Sequence, residues 1–177
     1  MKLRRIFVVI LIIALLVTSV YGISLFIVRS SGYHQYPTSE ELQPYSNPGS
    51  YEACRIPKYK LFLMSTEQLA QALIDYPYLM ETHIVSTGRQ GTDMILARSE
   101  ALRELTKRRD AKDVLLKKIE VLQQDTDNWE SEWKVESLAI ILTHDYTLAP
   151  QLTIEEKAQL REIVNVNEYL SQVLANI

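Results

Sequence analysis

Cysteine, histidine and, in the second half of the chain, glycine and proline are scarce in this sequence of 177 residues. Cys54 is the only cysteine. One thiol cannot form an internal disulfide, so the fold must be held together by its core. We expect a free, exposed thiol at this position, and the alternative is a bridge between two neighbouring chains.

The motifs of the common catalytic and metal sites are also missing. The three histidines, His34, His83 and His144, form no H-E-x-x-H motif and no i, i+4 pair. No G-x-S-x-G is present, and T-G-R-Q-G at 87–91 lacks the residues of a phosphate-binding loop. We therefore predict no catalytic residue, no cofactor, no metal ion and no enzymatic activity. A cell-envelope hydrolase remains the catalytic alternative, if the fold brings His83 or His144 to a carboxylate.

Charge is absent from the 23 residues between Ile6 and Val28, which are mostly Ile, Leu, Val and Phe. A helix of roughly 20 apolar residues crosses a hydrocarbon layer of about 30 Å. Lys2, Arg4 and Arg5 precede the stretch, and basic residues stay preferentially on the cytoplasmic side.

These features predict a cytoplasmic basic tail (1–5) and a transmembrane signal-anchor (6–28), with the rest of the chain extracytoplasmic at the cell membrane. Two alternatives are a secretory signal cleaved after Gly22 and a buried core helix.

Residues 29–60 differ in composition from both neighbours. They hold four of the six prolines and half of the ten tyrosines: Pro37, Pro44, Pro48, Pro57, Tyr33, Tyr36, Tyr45, Tyr51 and Tyr59. Because proline disfavours helix in the preceding residue, we predict a semi-extended tether without a long helix. Tyr33 and Tyr36 are expected at the membrane surface, and Tyr51 and Tyr59 packed onto the domain. A ligand-binding strip is the alternative for these aromatics.

Residues 61–177 have helical periodicity and no alternating strand pattern, so the predicted fold class is all-α. Ser65 with Gln68 and Thr153 with Glu156 form capping boxes. The spacing predicts a first helix that Pro77 ends, and then a turn over 86–91. A second helix is predicted from a Thr92 cap to Leu105, and a third begins at Asp110. A fourth is predicted over 130–145 with Trp129 packed at its start, and the last has an apolar stripe from Leu160 to Ile177. We expect a compact bundle of five or six helices.

The charges of this domain are unevenly distributed. Residues 61–177 contain 12 Lys and Arg and 19 Asp and Glu, a net charge of −7. Basic residues are nevertheless concentrated over 103–118, and such patches steer charged partners. The alternative is a set of solvated helix faces with i, i+4 pairs such as Glu104 with Arg108. Nucleic acid is not an expected partner of an acidic, extracytoplasmic domain. The expected partner of the basic patch is the anionic membrane surface or an acidic cell-wall polymer, and a protein or peptide is the other expected ligand. The candidate partner-binding residues are basic side chains and two tyrosines predicted to be exposed: Arg103, Lys107, Arg108, Arg109, Tyr76 and Tyr78.

Three segments together have a recognisable pattern: MSTEQLAQALIDYPYLM at 64–80, SEALRELTKRRDAKDVLL at 99–116 and LTIEEKAQL at 152–160. They resemble the S-T-E-x-L, Y-P, E-L-x-x-R-x-D-A and L-T-x-E-E motifs of a group of exported, all-helical proteins of gut bacteria. The resemblance implies export and a helical fold, and it implies no activity or catalytic residue.

Taken together, these patterns predict a membrane-anchored extracytoplasmic helical module that binds a ligand. The alternatives are a structural protein that oligomerises in the membrane and, as above, a hydrolase.

Overall fold

The computed structural model describes residues 10–20, 22, 34–43, 49–85, 87–125 and 128–174, with side chains in the last helix as far as Val164. Within these residues the protein is all-α, as predicted, and contains no strand. Residues 10–20 are helical (α1). The later helices are α2 (Ser39–Leu42), α3 (Gly49–Ala53), α4 (Lys58–Leu63), α5 (Thr66–Ile74), α6 (Gly88–Arg98), α7 (Glu100–Leu105), α8 (Ala111–Leu122), α9 (Trp129–His144) and α10 (Ile154–Leu174), with 3-10 turns η1 (Leu79–Thr82) and η2 (Ala149–Gln151).

The predicted basic tail, parts of the predicted anchor and tether (6–9, 21, 23–33 and 44–48) and the end of the predicted last helix (175–177) lie outside the described residues. No helix in the described part of the chain combines the length and apolar character required to cross a membrane. In α1, the eight large apolar side chains from Ile10 to Val20 are each at least 50% exposed.

The core is built around α9, which packs against α6, α8, α10 and η1, while α5 packs against α7 and α8. Leucine and isoleucine side chains from these helices are fully buried: Leu69, Leu73, Leu102, Leu105, Leu115, Leu138, Ile141 and Leu142. Each such side chain contributes about 1.5–3 kcal/mol on burial, so this cluster is the main source of stability. Polar bonds at the rim join the same helices, as from Lys112 in α8 to Glu156 in α10 (2.8 Å).

Both predicted capping boxes are confirmed. Ser65 accepts a hydrogen bond from the Gln68 backbone N–H (3.2 Å), and Gln68 accepts one from the Ser65 N–H (3.0 Å). Thr153 and Glu156 form the same reciprocal pair at the start of α10. The helix after Ser65 ends at Ile74, shortly before Pro77, as predicted.

The prediction for residues 86–105 was wrong in two respects. The helix begins at Gly88 with Thr87 as its cap, so the segment 88–91 is the first turn of α6, and Thr92 is buried inside the helix. The helical run is also interrupted at Ser99, whose backbone is extended and whose hydroxyl caps α7 by accepting from the Leu102 N–H.

Two further expectations need correction. Trp129 does not pack at the start of α9, because its side chain is 68% exposed and Asn128 caps the helix instead. Asp110 does lie at the start of α8, but its carboxylate accepts from the Thr66 hydroxyl (2.8 Å) rather than from its own helix.

The described part of the predicted tether is folded onto the helical domain. It contains the short helices α2 and α3, and Leu42, Cys54 and Ile56 are buried in the common core. Cys54 is only 1% exposed, so the expectation of an exposed thiol was wrong. Burial raises the pKa of this thiol, which makes it a poor nucleophile.

Candidate functional site

The predicted basic cluster, formed by the Lys and Arg residues of 103–118, lies on α7, the turn that follows it and α8. Arg103 donates to the carbonyl of Ala97 (2.6 Å) and to Glu100 (3.1 Å), so this guanidinium satisfies the end of α6 across the break at Ser99. Glu104 accepts from both Lys107 (3.0 Å) and Arg108 (3.1 Å). These i, i+3 and i, i+4 pairs partly neutralise the surface.

In this cluster, Arg109 and Lys117 have no described partner that neutralises their positive charge. Both side chains are exposed, and in the part of the chain that the structure describes neither makes a side-chain hydrogen bond or an ion pair. Of the four basic residues predicted as partner-binding, Arg109 is therefore the one best placed to meet an acidic ligand.

The two tyrosines predicted as exposed are part of a row of aromatic rings. Tyr36 contacts Tyr76 edge-on with ring centres 5.6 Å apart, Tyr76 contacts Tyr78 at 5.7 Å, and Tyr78 contacts Tyr51 at 4.5 Å. Tyr76 is only 2% exposed and Tyr78 is half-buried. The prediction that Tyr76 is exposed was wrong, because Tyr36, from the segment predicted as a tether, packs against its ring.

Burial also raises the pKa of Tyr76 and of Tyr36 well above that of a free phenol. Burial therefore favours the neutral form of both phenols. Tyr36, expected at the membrane surface, instead packs on the domain, and Tyr33 lies outside the described residues.

A polar clamp, formed by Tyr51, Glu81 and Arg98, joins the tether to the domain. The Tyr51 hydroxyl donates to Glu81 (2.7 Å) and accepts from Arg98 (2.9 Å), and Arg98 also pairs with Glu81. The guanidinium carbon of Arg98 lies 4.2 Å from the centre of the Tyr51 ring, a cation–π contact. Tyr51 thus packs on the domain as predicted, whereas Tyr59 is exposed.

A histidine, a serine and a glutamate meet between η1 and α9, which the sequence did not reveal because 54 residues separate His83 from Ser137. The His83 Nε2 lies 2.8 Å from Ser137 Oγ, and its Nδ1 lies 3.6 Å from Glu136. The hydroxyl of Thr82 is 3.0 Å from the same serine oxygen. These residue types resemble those of a serine hydrolase triad.

The position of the serine argues against that chemistry. Ser137 lies inside α9 and is 0% exposed, so no substrate reaches its oxygen in this conformation. His83 and Thr82 satisfy the hydroxyl that burial would otherwise leave without a partner. We therefore assign the group a structural role, holding η1 against α9.

The other two histidines also have polar neighbours within hydrogen-bond distance. His144 Nδ1 lies 3.0 Å from the carbonyl oxygen of Ile140, in its own helix, and His34 lies 3.4 Å from Lys60. Asp145, next to His144, is buried and accepts from the backbone N–H groups of Thr147 and Leu148. Over the described residues, no group of three or more His, Cys, Asp or Glu side chains could hold a metal ion.

Comparison with protein-family models, with curated proteins and with solved structures finds no match to this chain.

Proposed function

We propose that this chain is a single-pass membrane protein whose residues 6–28 anchor an extracytoplasmic helical interaction module, with the N-terminus in the cytoplasm. The observation that carries the proposal is the surface of α1. Its large apolar side chains are exposed, and a helix that is apolar all round needs an apolar environment. The hydroxyls of Thr18 and Ser19 bond to carbonyls of Ala14 and Leu15 within the same helix. This arrangement suits a lipid surrounding, where every polar group must find an internal partner.

The tether gives the proposal a second support. Tyr36, Leu42, Tyr51 and Cys54 pack on the domain, and only residues 29–33 separate the apolar stretch from His34, whose ring contacts Tyr36. The module is therefore held close to its anchor, as is expected of a domain that acts at the membrane. The resemblance to exported helical proteins is consistent with the same location.

For the ligand, we propose an acidic polymer or peptide bound at Arg109 and Lys117. Both residues lie within the basic cluster, and their charges are not neutralised by a described partner. The alternative of a chain joined to its neighbours by a disulfide has less support, because Cys54 is buried.

Topology is tested with introduced cysteines, since the native thiol is buried. In a Cys54→Ser background, Lys2→Cys and Glu155→Cys variants are treated with a membrane-impermeant maleimide in intact cells. We expect labelling of Glu155→Cys in the membrane fraction, and of Lys2→Cys only after lysis. The opposite pattern, or a shortened chain in the medium, would refute the anchor in this orientation.

Ligand binding is tested by co-sedimenting the full chain in detergent with cell-wall sacculi that carry their anionic polymer and with sacculi stripped of it. We expect binding to the first only, lost in an Arg109→Glu, Lys117→Glu variant. Arg161→Glu is the control, because it makes the same kind of charge change at an exposed position outside the cluster. Equal binding by all variants would refute the assignment of this surface.

A further inference from the structure

The short helix α4 presents two large aromatic side chains to solvent. Tyr59 is 71% exposed and Phe62 is 68% exposed, and a separation of three residues places them on one face of the helix. The helix is fixed to the domain, since Leu61 is buried and Leu63, at the end of the helix, packs against the core. The aromatic face therefore cannot turn inward without unpacking the helix.

The position of α4 relative to the proposed anchor follows from a contact and a chain length. The Lys60 ammonium nitrogen lies 3.4 Å from His34 Nδ1, and the His34 ring packs edge-on against Tyr36 with ring centres 4.6 Å apart. The apolar stretch ends at Val28, and six residues reach at most about 20 Å even when fully extended. The α4 end of the domain is thus the end nearest the membrane.

The chemistry of this face matches a lipid–water interface. Tyrosine is enriched where an apolar ring and a polar tip are both satisfied, and phenylalanine gains by entering the acyl boundary. Lys58, also exposed, stands beside these rings, and a lysine near an anionic headgroup surface is attracted to it.

We propose that the α4 face of Lys58, Tyr59 and Phe62 lies in the headgroup region of the anionic membrane in which the chain is anchored. The inference rests on the proposed anchor, and it adds a second contact with the membrane that orients the domain. One face of the helical bundle is then turned toward the lipid and the others toward soluble ligands.

The test uses single-tryptophan variants of the full chain reconstituted into vesicles of phosphatidylcholine and phosphatidylglycerol, some with lipids brominated at known acyl depths. All variants carry Trp133→Phe, which removes an indole N–H that has no hydrogen-bond partner among the described residues. The control retains only Trp129, which is as exposed as Phe62. The reporters carry Trp129→Phe with either Phe62→Trp or Leu15→Trp.

We expect deep bromines to quench Leu15→Trp, shallow bromines to quench Phe62→Trp, and neither to quench Trp129. If Leu15→Trp is quenched while Phe62→Trp behaves like Trp129, the membrane contact of α4 is refuted and the anchor stands. If Leu15→Trp is not quenched, the anchor is refuted, and the inference with it. If Trp129 is quenched as strongly as Phe62→Trp, the domain lies on the membrane through another face, and the assignment to α4 is wrong.

The role of the lysine is tested in the same system. Lys58→Glu should weaken the quenching of Phe62→Trp in vesicles that contain phosphatidylglycerol and leave it unchanged in vesicles of phosphatidylcholine alone. Equal quenching in both vesicle types before and after the substitution would refute the electrostatic part of the proposal. Lys58 and Phe62 are exposed, so neither change disturbs the core.

Discussion

Replacing Gly91 with alanine should destabilise the domain, although the residue lies inside helix α6. A Cβ atom at this position would stand 2.4 Å from the carbonyl oxygen of Thr82 and 2.8 Å from its Cα. Both are backbone atoms of η1, so α6 and η1 would have to move apart. In an open helix the same substitution would be favourable by about 1 kcal/mol, because glycine is a poor helix former. A loss of stability would therefore show that the close contact outweighs helix propensity at this position, and a gain would show the opposite.

The size of the effect follows from these two terms. Overpacking a well-packed interior costs about 1–3 kcal/mol, and a contact this short against backbone places Gly91→Ala near the upper end. Subtracting the propensity gain of about 1 kcal/mol leaves a net loss of about 2 kcal/mol. Because m-values in urea are about 1–3 kcal/mol/M for small domains, the unfolding midpoint should fall by about 1 M.

The measurement is urea unfolding of the full chain in detergent, followed by tryptophan fluorescence. Gly88→Ala is the matched control in the first turn of the same helix. Its Cβ would meet Ile140 at 3.2 Å and the His144 ring at 2.9 Å, both side-chain atoms, so a shift of these side chains relieves the contact. We expect Gly88→Ala to change stability by less than about 1 kcal/mol. A Gly91→Ala protein as stable as the wild type would show that α6 and η1 are not in the close contact described.

Three further predictions concern the tether and the rim of the core. The Cys54 thiol should react slowly with a thiol reagent in the native chain and fast in denaturant, since burial shields it and raises its pKa; equal rates would contradict its burial. Tyr51→Phe removes the hydrogen bond to Glu81 and should weaken the docking of α3 by about 1 kcal/mol, measured as faster amide hydrogen exchange in that helix and contradicted by unchanged protection there. The hydrogen bond from Lys112 lowers the pKa of Glu156 below its ordinary 4.5, so the stabilisation that it provides is present above that pH and lost as the pH falls through the folded-state pKa. The stability difference between wild type and Glu156→Gln should accordingly shrink on acidification, and a difference independent of pH in urea unfolding would contradict the pairing.

The helical elements were predictable where the signal is local. A capping box such as Ser65 with Gln68 depends on residues three apart, and the periodicity that predicts a helix over 130–145 depends on that segment alone. Both were predicted correctly. The all-α class follows from the same local signals, since no segment of the domain has the alternation of a strand.

The prediction errors occurred where the local structure depends on a contact between residues that are distant in the sequence. Gly88 and Gly91 have low helix propensity, which is why the segment was predicted as a turn, yet α6 begins there because Gly91 admits the backbone of Thr82. The break at Ser99 is stabilised by Arg103, whose guanidinium reaches back to the carbonyl of Ala97. No spacing rule within a single helix reveals that bond.

In the candidate site too, local features were predictable and features that depend on tertiary contacts were not. The positions of the basic residues along the helices were predictable, but Glu104 and Glu100 neutralise much of their charge, and Arg109 stands apart only because of how the turn after α7 is folded. The burial of Tyr76 was not predictable, because the Tyr36 ring that packs against it lies far away in the sequence. The network of His83 and Ser137 depends on the packing of η1 against α9 and has no sequence signature.

The tyrosines of residues 29–60 explain how a proline-rich segment can orient a domain. Proline prevents this segment from forming long helices of its own, so its aromatic side chains can bury apolar area only against the domain. Tyr36 and Tyr51 do so, and the polar clamp of Tyr51 with Arg98 and Glu81 adds directional hydrogen bonds that an apolar contact alone lacks. A long flexible linker would let the domain turn freely above an anchor, whereas here only residues 29–33 separate the apolar stretch from His34, whose ring lies beside Tyr36 and Lys60. If the apolar stretch is a membrane anchor, this short connection restricts which surface of the domain faces the lipid and from which side a ligand reaches the basic surface at Arg109.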